Sequence, residues 1–330
     1  MKDSFLCGND MFSLLNYNDL NDILSYCSDY MLEYRDSLEL DKDISFGIEI
    51  EYENLLRKNV DKYIYNRHND WLSKLDGSLL RGGEITSPIM KDDVSYWNDL
   101  KKICDYLKRK KVTTIGKTGG HIHVGASYLN KDIESWIIFL KLYVSYEHIL
   151  YRFSFGDKIS GRDCIDVYAK SVSERLISFF TRVSDIDNIF EFIKCLPRNN
   201  RNYSINFKNV SCYYVDKNVC GNTIEFRLPN SSVNEIIWQN NINTFCKMMM
   251  SSKKKVIDEE FLNYKIKNDY ISYYDNKLRY YNVDLKNSLE FVDLVFNNNK
   301  DKLYFLRQYL KNYQLNYGYN SSIKSKRFTK

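Results

Sequence analysis

The sequence predicts an α+β fold in which an antiparallel sheet carries helices over one face and is flanked by helical segments at both ends. Three observations predict it. Between residues 44 and 229 the apolar pattern switches repeatedly between period two and period 3.6, and this span holds all three prolines and eleven of the thirteen glycines. Four stretches within it alternate an apolar face with a face of glutamate, histidine and arginine. Outside it, residues 11–40 and the stretch from Ser231 to the end space their apolar residues three and four apart, with one glycine and no proline between them.

In chain order, residues 11–40 read as an amphipathic helical lead-in. A strand follows at 44–53, with Ile44, Phe46, Ile48, Ile50 and Tyr52 on one side and Glu49, Glu51 and Glu53 on the other. The next strand, 82–87, sets Glu84 and Thr86 opposite Ile85. After a helix at 91–110, the strand 119–127 ("GGHIHVGAS") turns Ile122, Val124 and Ala126 one way and His121 and His123 the other. It thereby uses two of the four histidines of the chain. Helices are expected at 132–152 and 172–195, a strand at 202–208, and a last strand at 222–228 with Ile224, Phe226 and Leu228 opposing Glu225 and Arg227. The stretches 234–250 and 289–310 read as helices again. The expected organisation is a helical lead-in at 1–40, a catalytic body at 41–250 and a helical C-terminal extension at 251–330.

With 330 residues, 44% of them hydrophobic and 15% aromatic, the chain can bury a large core. Its formal charge of +5 is spread out, and the dense basic stretches are confined to Lys108–Lys111, Lys253–Lys255 and Lys324–Lys330, so no nucleic-acid partner is expected. "MKDSFLCGNDMF" lacks the basic-then-apolar pattern of an export leader, and the most apolar run, Trp136–Val144, is interrupted by Lys141 and is far too short to span a bilayer. A cytoplasmic protein without membrane contact is expected. Cys7, Cys27, Cys104, Cys164, Cys195, Cys212, Cys220 and Cys246 form no CxxC pair, so reduced thiols are expected rather than a disulfide framework or a structural zinc cluster.

The polar faces carry the chemistry. Any half-buried antiparallel strand alternates in this way with its charges in water. Here, however, the polar positions are Glu49, Glu51, Glu53, Glu84, His121, His123, Glu225 and Arg227, with no lysine in a lysine-rich chain. If the strands share one sheet, the carboxylates converge and require a cation to relieve their repulsion. Oxygen donors with one or two imidazoles suit Mg²⁺ or Mn²⁺, and two ions are feasible.

Glu49-Ile50-Glu51, then Asp76-Gly77-Ser78 with "GGEITSP", then "GGHIHVG", then "TIEFRLPN", in this order, resemble the amidoligase family of carboxylate–amine ligases, part of the glutamine synthetase and glutamate–cysteine ligase superfamily. The resemblance covers residues 44–250. It implies an antiparallel sheet of the glutamine synthetase/glutamate–cysteine ligase catalytic type, with Glu49, Glu51, Glu84, His121 and Glu225 as ligands to two metal ions. It further implies that His123 faces nucleotide phosphate, that Arg227 stands beside the transferred phosphoryl group, and that Ser78 lies on the nucleotide side. Arg162, ahead of Tyr168, is implied to hold phosphate or the substrate carboxylate. No β-grasp domain of the glutamine synthetase kind is recognisable, which speaks against glutamine synthesis itself.

What the resemblance implies chemically is transfer of the γ-phosphoryl group of ATP to a carboxylate and attack by an amine, forming an amide or isopeptide bond on an amino acid, glutamyl or peptide substrate. Residues 75–83 are a candidate covering loop or a plain turn. Gly116-Lys117-Thr118 resembles the end of a phosphate-binding loop, but Lys111 stands where that motif needs glycine, so it reads as a turn. His68 and His148 have no spaced partner and read as surface or satisfied helix-side histidines. Cys164 has no paired histidine, so no nucleophilic role is assigned to it. The alternatives are a two-metal nuclease or phosphohydrolase, and an inactive relative kept for binding.

Thiol titration of the denatured, unreduced protein should find all eight cysteines free. A count of four would mean two disulfides and an oxidising setting.

Overall fold

In the computed structural model the described residues are Cys27 and 30–311, less 69, 80, 115, 130, 157–160, 198–201, 216–220 and 276. Among them the strands are β1 (Phe46–Glu53), β2 (Leu72–Lys74), β3 (Gly82–Thr86), β4 (Gly120–Gly125), β5 (Ile205–Asn206) and β6 (Thr223–Phe226). They form one sheet in the order β2-β3-β1-β4-β6-β5, antiparallel throughout. The helices are α1 (Arg57–Tyr65), α2 (Val94–Arg109), α3 (Ile133–Ser154), α4 (Ile165–Tyr168), α5 (Ser173–Phe180), α6 (Ile189–Cys195), α7 (Lys208–Val215), α8 (Glu235–Lys253), α9 (Glu259–Asn268), α10 (Leu285–Val295) and α11 (Asn299–Leu310). The protein is thus α+β, as the alternating periods require.

The even-numbered residues of β1, together with Ile85, Ile122, Val124, Ile224 and Phe226, are buried. They face α2, α3 and α8: Phe46 stacks on Trp97 at 5.3 Å, and Phe226 stacks on Phe245 at 4.1 Å with Phe139 edge-on at 6.2 Å. Helices α3 and α8 are buried almost all round, and α9, α10 and α11 pack on them. A helix apolar or buried on every side belongs inside a core, which explains why the amphipathic pattern weakens there. None of the helices among the described residues is long and apolar enough to cross a membrane.

Several expectations change. The single helix expected at 172–195 is two, because Asn188 caps α6 by accepting from the Phe190 and Glu191 N–H groups. The strand expected at 202–208 shrinks to β5, since the Asn206 side chain accepts from Lys208 N–H at 3.0 Å and turns the chain into α7. Residues 30–40 are not helical. Asp92 takes the N–H groups of Leu38 and Leu40 and the Ser37 hydroxyl, holding that segment extended against the start of α2. The rest of the expected lead-in, and everything beyond 311, lies outside the described residues. His68 and His148 are buried rather than on the surface, beside Asp99 and Asp284. Cys27, Cys104, Cys164, Cys195 and Cys246 are free thiols.

One buried carboxylate ties the helical layer to the loops behind the sheet. Glu147 of α3 accepts from the hydroxyls of Ser171 (2.5 Å), Ser173 (2.6 Å) and Ser204 (2.5 Å) and from Val172 N–H (3.1 Å). Ser204 in turn accepts from Arg227 N–H at 2.8 Å through its carbonyl. Burial pushes the Glu147 carboxyl above the ordinary glutamate value, against the opposing pull of the three hydroxyls. A raised folded pKa favours the protonated group in the fold. Its contribution is therefore complete below the ordinary glutamate pKa and is lost as pH rises through the raised value. Urea unfolding of wild type and Glu147→Gln across pH should show the variant gaining relative stability as pH rises. A gap independent of pH would contradict this. Glu147→Leu, which strands several donors, should cost about 3 kcal/mol or more.

Candidate functional site

The strand registers gather the polar residues. Glu51 lies opposite Glu84, Glu49 opposite both Thr86 and His121, Gly47 opposite His123, and His123 opposite Glu225. Directly opposed residues of antiparallel neighbours point to the same face, so Glu49, Glu51, Glu84, His121, His123 and Glu225 share the face away from the α2, α3 and α8 layer. Edge strands add Lys74, opposite Glu84, and Asn206, opposite Glu225. The polar face is therefore not free of lysine as the sequence pattern suggested.

His121 Nδ1 lies 2.8 Å from Glu49 Oε2 and 3.6 Å from Glu225 Oε1, while its Nε2 lies 3.7 Å from Glu51. His123 Nε2 sits 3.1 Å from Glu49 Oε1, close enough for strong charge pairing but off the line of a hydrogen bond. Arg227 pairs with Glu225, whose other oxygen accepts from Asn206 Nδ2 at 2.7 Å. Arg162 is buried and donates through Nη2 to the Arg227 carbonyl at 3.0 Å. The Nε groups of Arg162 and Arg227 are buried and have no partner among the described residues. Gly119 makes room for this: its N–H donates to Glu51 at 2.5 Å, and a Cβ there would fall 1.8 Å from Arg162 Nη1.

Two groups of three donors result. Glu49, His123 and Glu225 form one, and Glu51, Asp76 and Glu84 the other, the ligand atoms within each lying within 4.8 Å of one another. A pocket of about 300 Å³ opens on the second group and reaches Glu49, His121, Arg162 and Arg227; Ser78, Lys117, Tyr168 and Asn202 complete its wall. His123 and Glu225 are not part of that wall. The geometry thus groups His123 with Glu49 and Glu225, while His121 lies between the two groups with its nitrogens 2.8–3.7 Å from Glu49, Glu225 and Glu51. It also adds Asp76, which sequence reasoning placed in a turn and not among the ligands. Its Oδ1 accepts from the Ser78 N–H and hydroxyl at 2.7 Å, shaping the loop between β2 and β3. Lys117 carried a signal in the failed phosphate-loop motif. Asn202 and Asn206 carried none, since asparagine is common throughout the chain.

Burial raises Glu49, but the hydrogen bond with His121 and the charges of His121 and His123 overcome it and hold this carboxyl well below the usual range. Burial opposes ionisation of Glu225 too, and His121 and Arg227 prevail there. Burial would lower His123, yet Glu49 raises it overall. Glu51 and Glu84 go the other way. Burial lifts both, and the charge of Glu49 adds to the rise at Glu84. Burial draws Arg162 down to about 10, leaving it charged at neutral pH. The Glu49 group is therefore balanced by its own histidines and arginine, whereas the Glu51 group is short of positive charge. Its three oxygen donors, pKa values raised in Glu51 and Glu84, fit a hard divalent cation that would displace the protons. The mixed nitrogen and oxygen group fits Mg²⁺ less well than Mn²⁺.

A family model described as "Putative amidoligase enzyme" matches residues 67–249. A protein named "Putative integrase ORF3" from Spiroplasma virus SpV1-C74 is 27% identical over 258 residues, 72% of this chain and 69% of the relative.

Titrating Mn²⁺ or Mg²⁺ should raise the melting temperature, by the equivalent of about 3 kcal/mol at a hundredfold excess over Kd. Glu84→Gln should lose most of that shift while melting no lower than wild type without metal. An unchanged melting temperature across the titration would exclude a metal centre here.

Proposed function

Because the chain belongs to this amidoligase family, we propose that it is an ATP- and divalent-metal-dependent carboxylate–amine ligase. The observation that carries this reading is the meeting of buried Arg162 and half-buried Arg227, each with an Nε that has no hydrogen-bond partner among the described residues, with Glu49, Glu51, Asp76 and Glu84 around one pocket. Phosphoryl transfer to a carboxylate needs both: cations to bind phosphate and carboxylate oxygens, and a place for the metal that accompanies a nucleotide. Glu49, His123 and Glu225 would hold one ion and Glu51, Asp76 and Glu84 the other. When bound, such ions supply charge neutralisation at phosphate oxygens.

The chain's own residues supply the rest. Arg227 is oriented by Glu225 and by its backbone contacts to Arg162 and Ser204, so its guanidinium is fixed before any ligand arrives. Arg162, buried behind Gly119, offers a second planar cation for a phosphate or carboxylate. His121 is locked by Glu49 and would keep the two donor groups apart. The loop 75–81 carries Asp76 and Ser78 to the rim, where closure would protect an acyl phosphate from water. In this reading residues 41–250 form the catalytic unit, of the glutamine synthetase/glutamate–cysteine ligase type, acting in the cytoplasm on an amino acid, glutamyl or peptide carboxylate and an amine.

The name of the viral relative favours a second reading, metal-dependent phosphodiester chemistry on the same acidic face. A panel of amino acids and peptides with Mg²⁺ and ATP, followed by mass spectrometry, separates the two. The ligase releases ADP and phosphate and yields a product one water lighter than its two substrates. DNA cleavage that vanishes in Glu49→Gln, without nucleotide binding, would replace the ligase by a nuclease. Arg227→Lys should fold and keep much of its nucleotide affinity yet turn over on the order of a hundredfold more slowly, because an ammonium cannot hold two phosphoryl oxygens at once. Turnover equal to wild type, with matching thermal melts, would make Arg227 structural.

A further inference from the structure

A second cavity, independent of the proposed ligase site, lies where the C-terminal ends of α1 and α2 meet. It measures about 450 Å³ and is lined by Lys62, Arg67, Arg109 and Lys110 around a floor of Tyr63 and Tyr106. The two rings stack at 3.7 Å and 6°, Arg67 lies over Tyr63 at 5.1 Å and Lys110 over Tyr106 at 5.8 Å. Both hydroxyls are engaged, Tyr63 donating to the Lys102 carbonyl and Tyr106 to the Asn59 carbonyl, so the floor is held rigidly. The four cations are exposed. None of them has a carboxylate partner among the described residues, because the acids nearby are taken by other bases. Asp61 pairs with Arg57, Asp99 with His68 and Lys102, and Asp105 with Lys101.

Cations in the last turn of a helix have a bland role, since they offset the negative end of its dipole. One or two per helix accomplish that. Four unpaired cations around one cavity repel one another, and an anionic ligand relieves the repulsion. The kind of anion follows from what faces the cavity. Helix C-termini present carbonyls rather than N–H groups, so the backbone cannot cradle a small phosphate as a helix N-terminus does. Long, exposed cationic side chains around an open groove, with the Arg67 and Arg109 guanidinium planes at its edge, instead suit an extended polyanion whose flat groups stack on those planes beside its charges.

We propose that this groove binds the phosphodiester backbone of single-stranded nucleic acid. The basic run Lys108–Lys111 is too short in sequence to suggest this, and it becomes a site only when α1 brings Lys62 and Arg67 beside it.

The test is fluorescence anisotropy of a labelled twenty-nucleotide DNA single strand with the full chain, over a range of salt concentrations. Wild type should bind at low salt, with log K falling against log salt with a slope of about −3 if four phosphates are neutralised. Lys62→Gln/Arg67→Gln/Arg109→Gln, all at exposed positions, should weaken binding at least tenfold with an unchanged melting temperature, and Glu49→Gln should bind as wild type does. No binding at low salt, or equal binding by the triple variant, would overturn the proposal. Loss of binding in Glu49→Gln alone would overturn it too and move nucleic acid to the acidic face, which would favour the nuclease reading. Displacement of the strand by inorganic phosphate at matched phosphate concentration would show a small-anion site instead. A failed ligase assay leaves the groove unaffected, since the two readouts share no residue.

Discussion

Negative charge crowded onto one face of a sheet is what the site has to accommodate. Glu49, Glu51, Glu84 and Glu225 are brought together by antiparallel register, and Asp76 joins them from a loop. Carboxylates at this separation repel strongly once removed from water, so their positions are tolerable only with compensating cations close at hand. His121, His123 and Arg227 provide that compensation around Glu49 and Glu225. Around Glu51 and Glu84 it does not offset burial, which lifts both carboxyls above the ordinary glutamate value, with the charge of Glu49 adding to the rise at Glu84. The face is thus charge-compensated at one end and dominated by buried carboxylates at the other.

The rest of the molecule holds this arrangement still. The opposite face of the sheet is packed against α2, α3 and α8 through stacked aromatic pairs, which leaves the strands little freedom to slide. Behind the arginines, Glu147 gathers Ser171, Ser173 and Ser204, and Ser204 holds the backbone of Arg227. A buried helix residue that never reaches the pocket therefore helps set the orientation of one that does. The close approach at Gly119 has the same character, since it admits the Arg162 guanidinium against the backbone of the histidine strand.

Belonging to the amidoligase family and bearing the acidic face are two separate lines of support, one from the match over residues 67–249 and one from geometry. They converge on a pocket that combines oxygen donors with planar cations. The basic groove between α1 and α2 has the opposite character: solvent-exposed, positively charged and built from two helix ends. A chain with a modest net charge of +5 thus carries two sharply polarised surfaces. Net charge conceals them because each is offset by the other.

Alternation along a strand is local geometry, so the two faces of β1, β3, β4 and β6 were legible directly from residues such as Ile48-Glu49-Ile50-Glu51 and His121-Ile122-His123. Successive side chains must point to opposite sides whatever the rest of the chain does, and the donor types on the polar side follow. The same logic read α2 and α3 to within a few residues of their ends, because helical periodicity is local too. It failed where short polar side chains start or stop an element, at Asn188 and Asn206, and where Asp92 captures a passing segment, since these depend on a few side-chain hydrogen bonds. The grouping of His123 with Glu49 and Glu225, the arrival of Asp76 beside Glu51 and Glu84, and the approach of Arg162 to Arg227 were invisible in sequence. Each brings together residues far apart in the chain, or carried on a loop, through register and packing, and no pattern of neighbours along the chain encodes the distance between atoms that only folding makes adjacent.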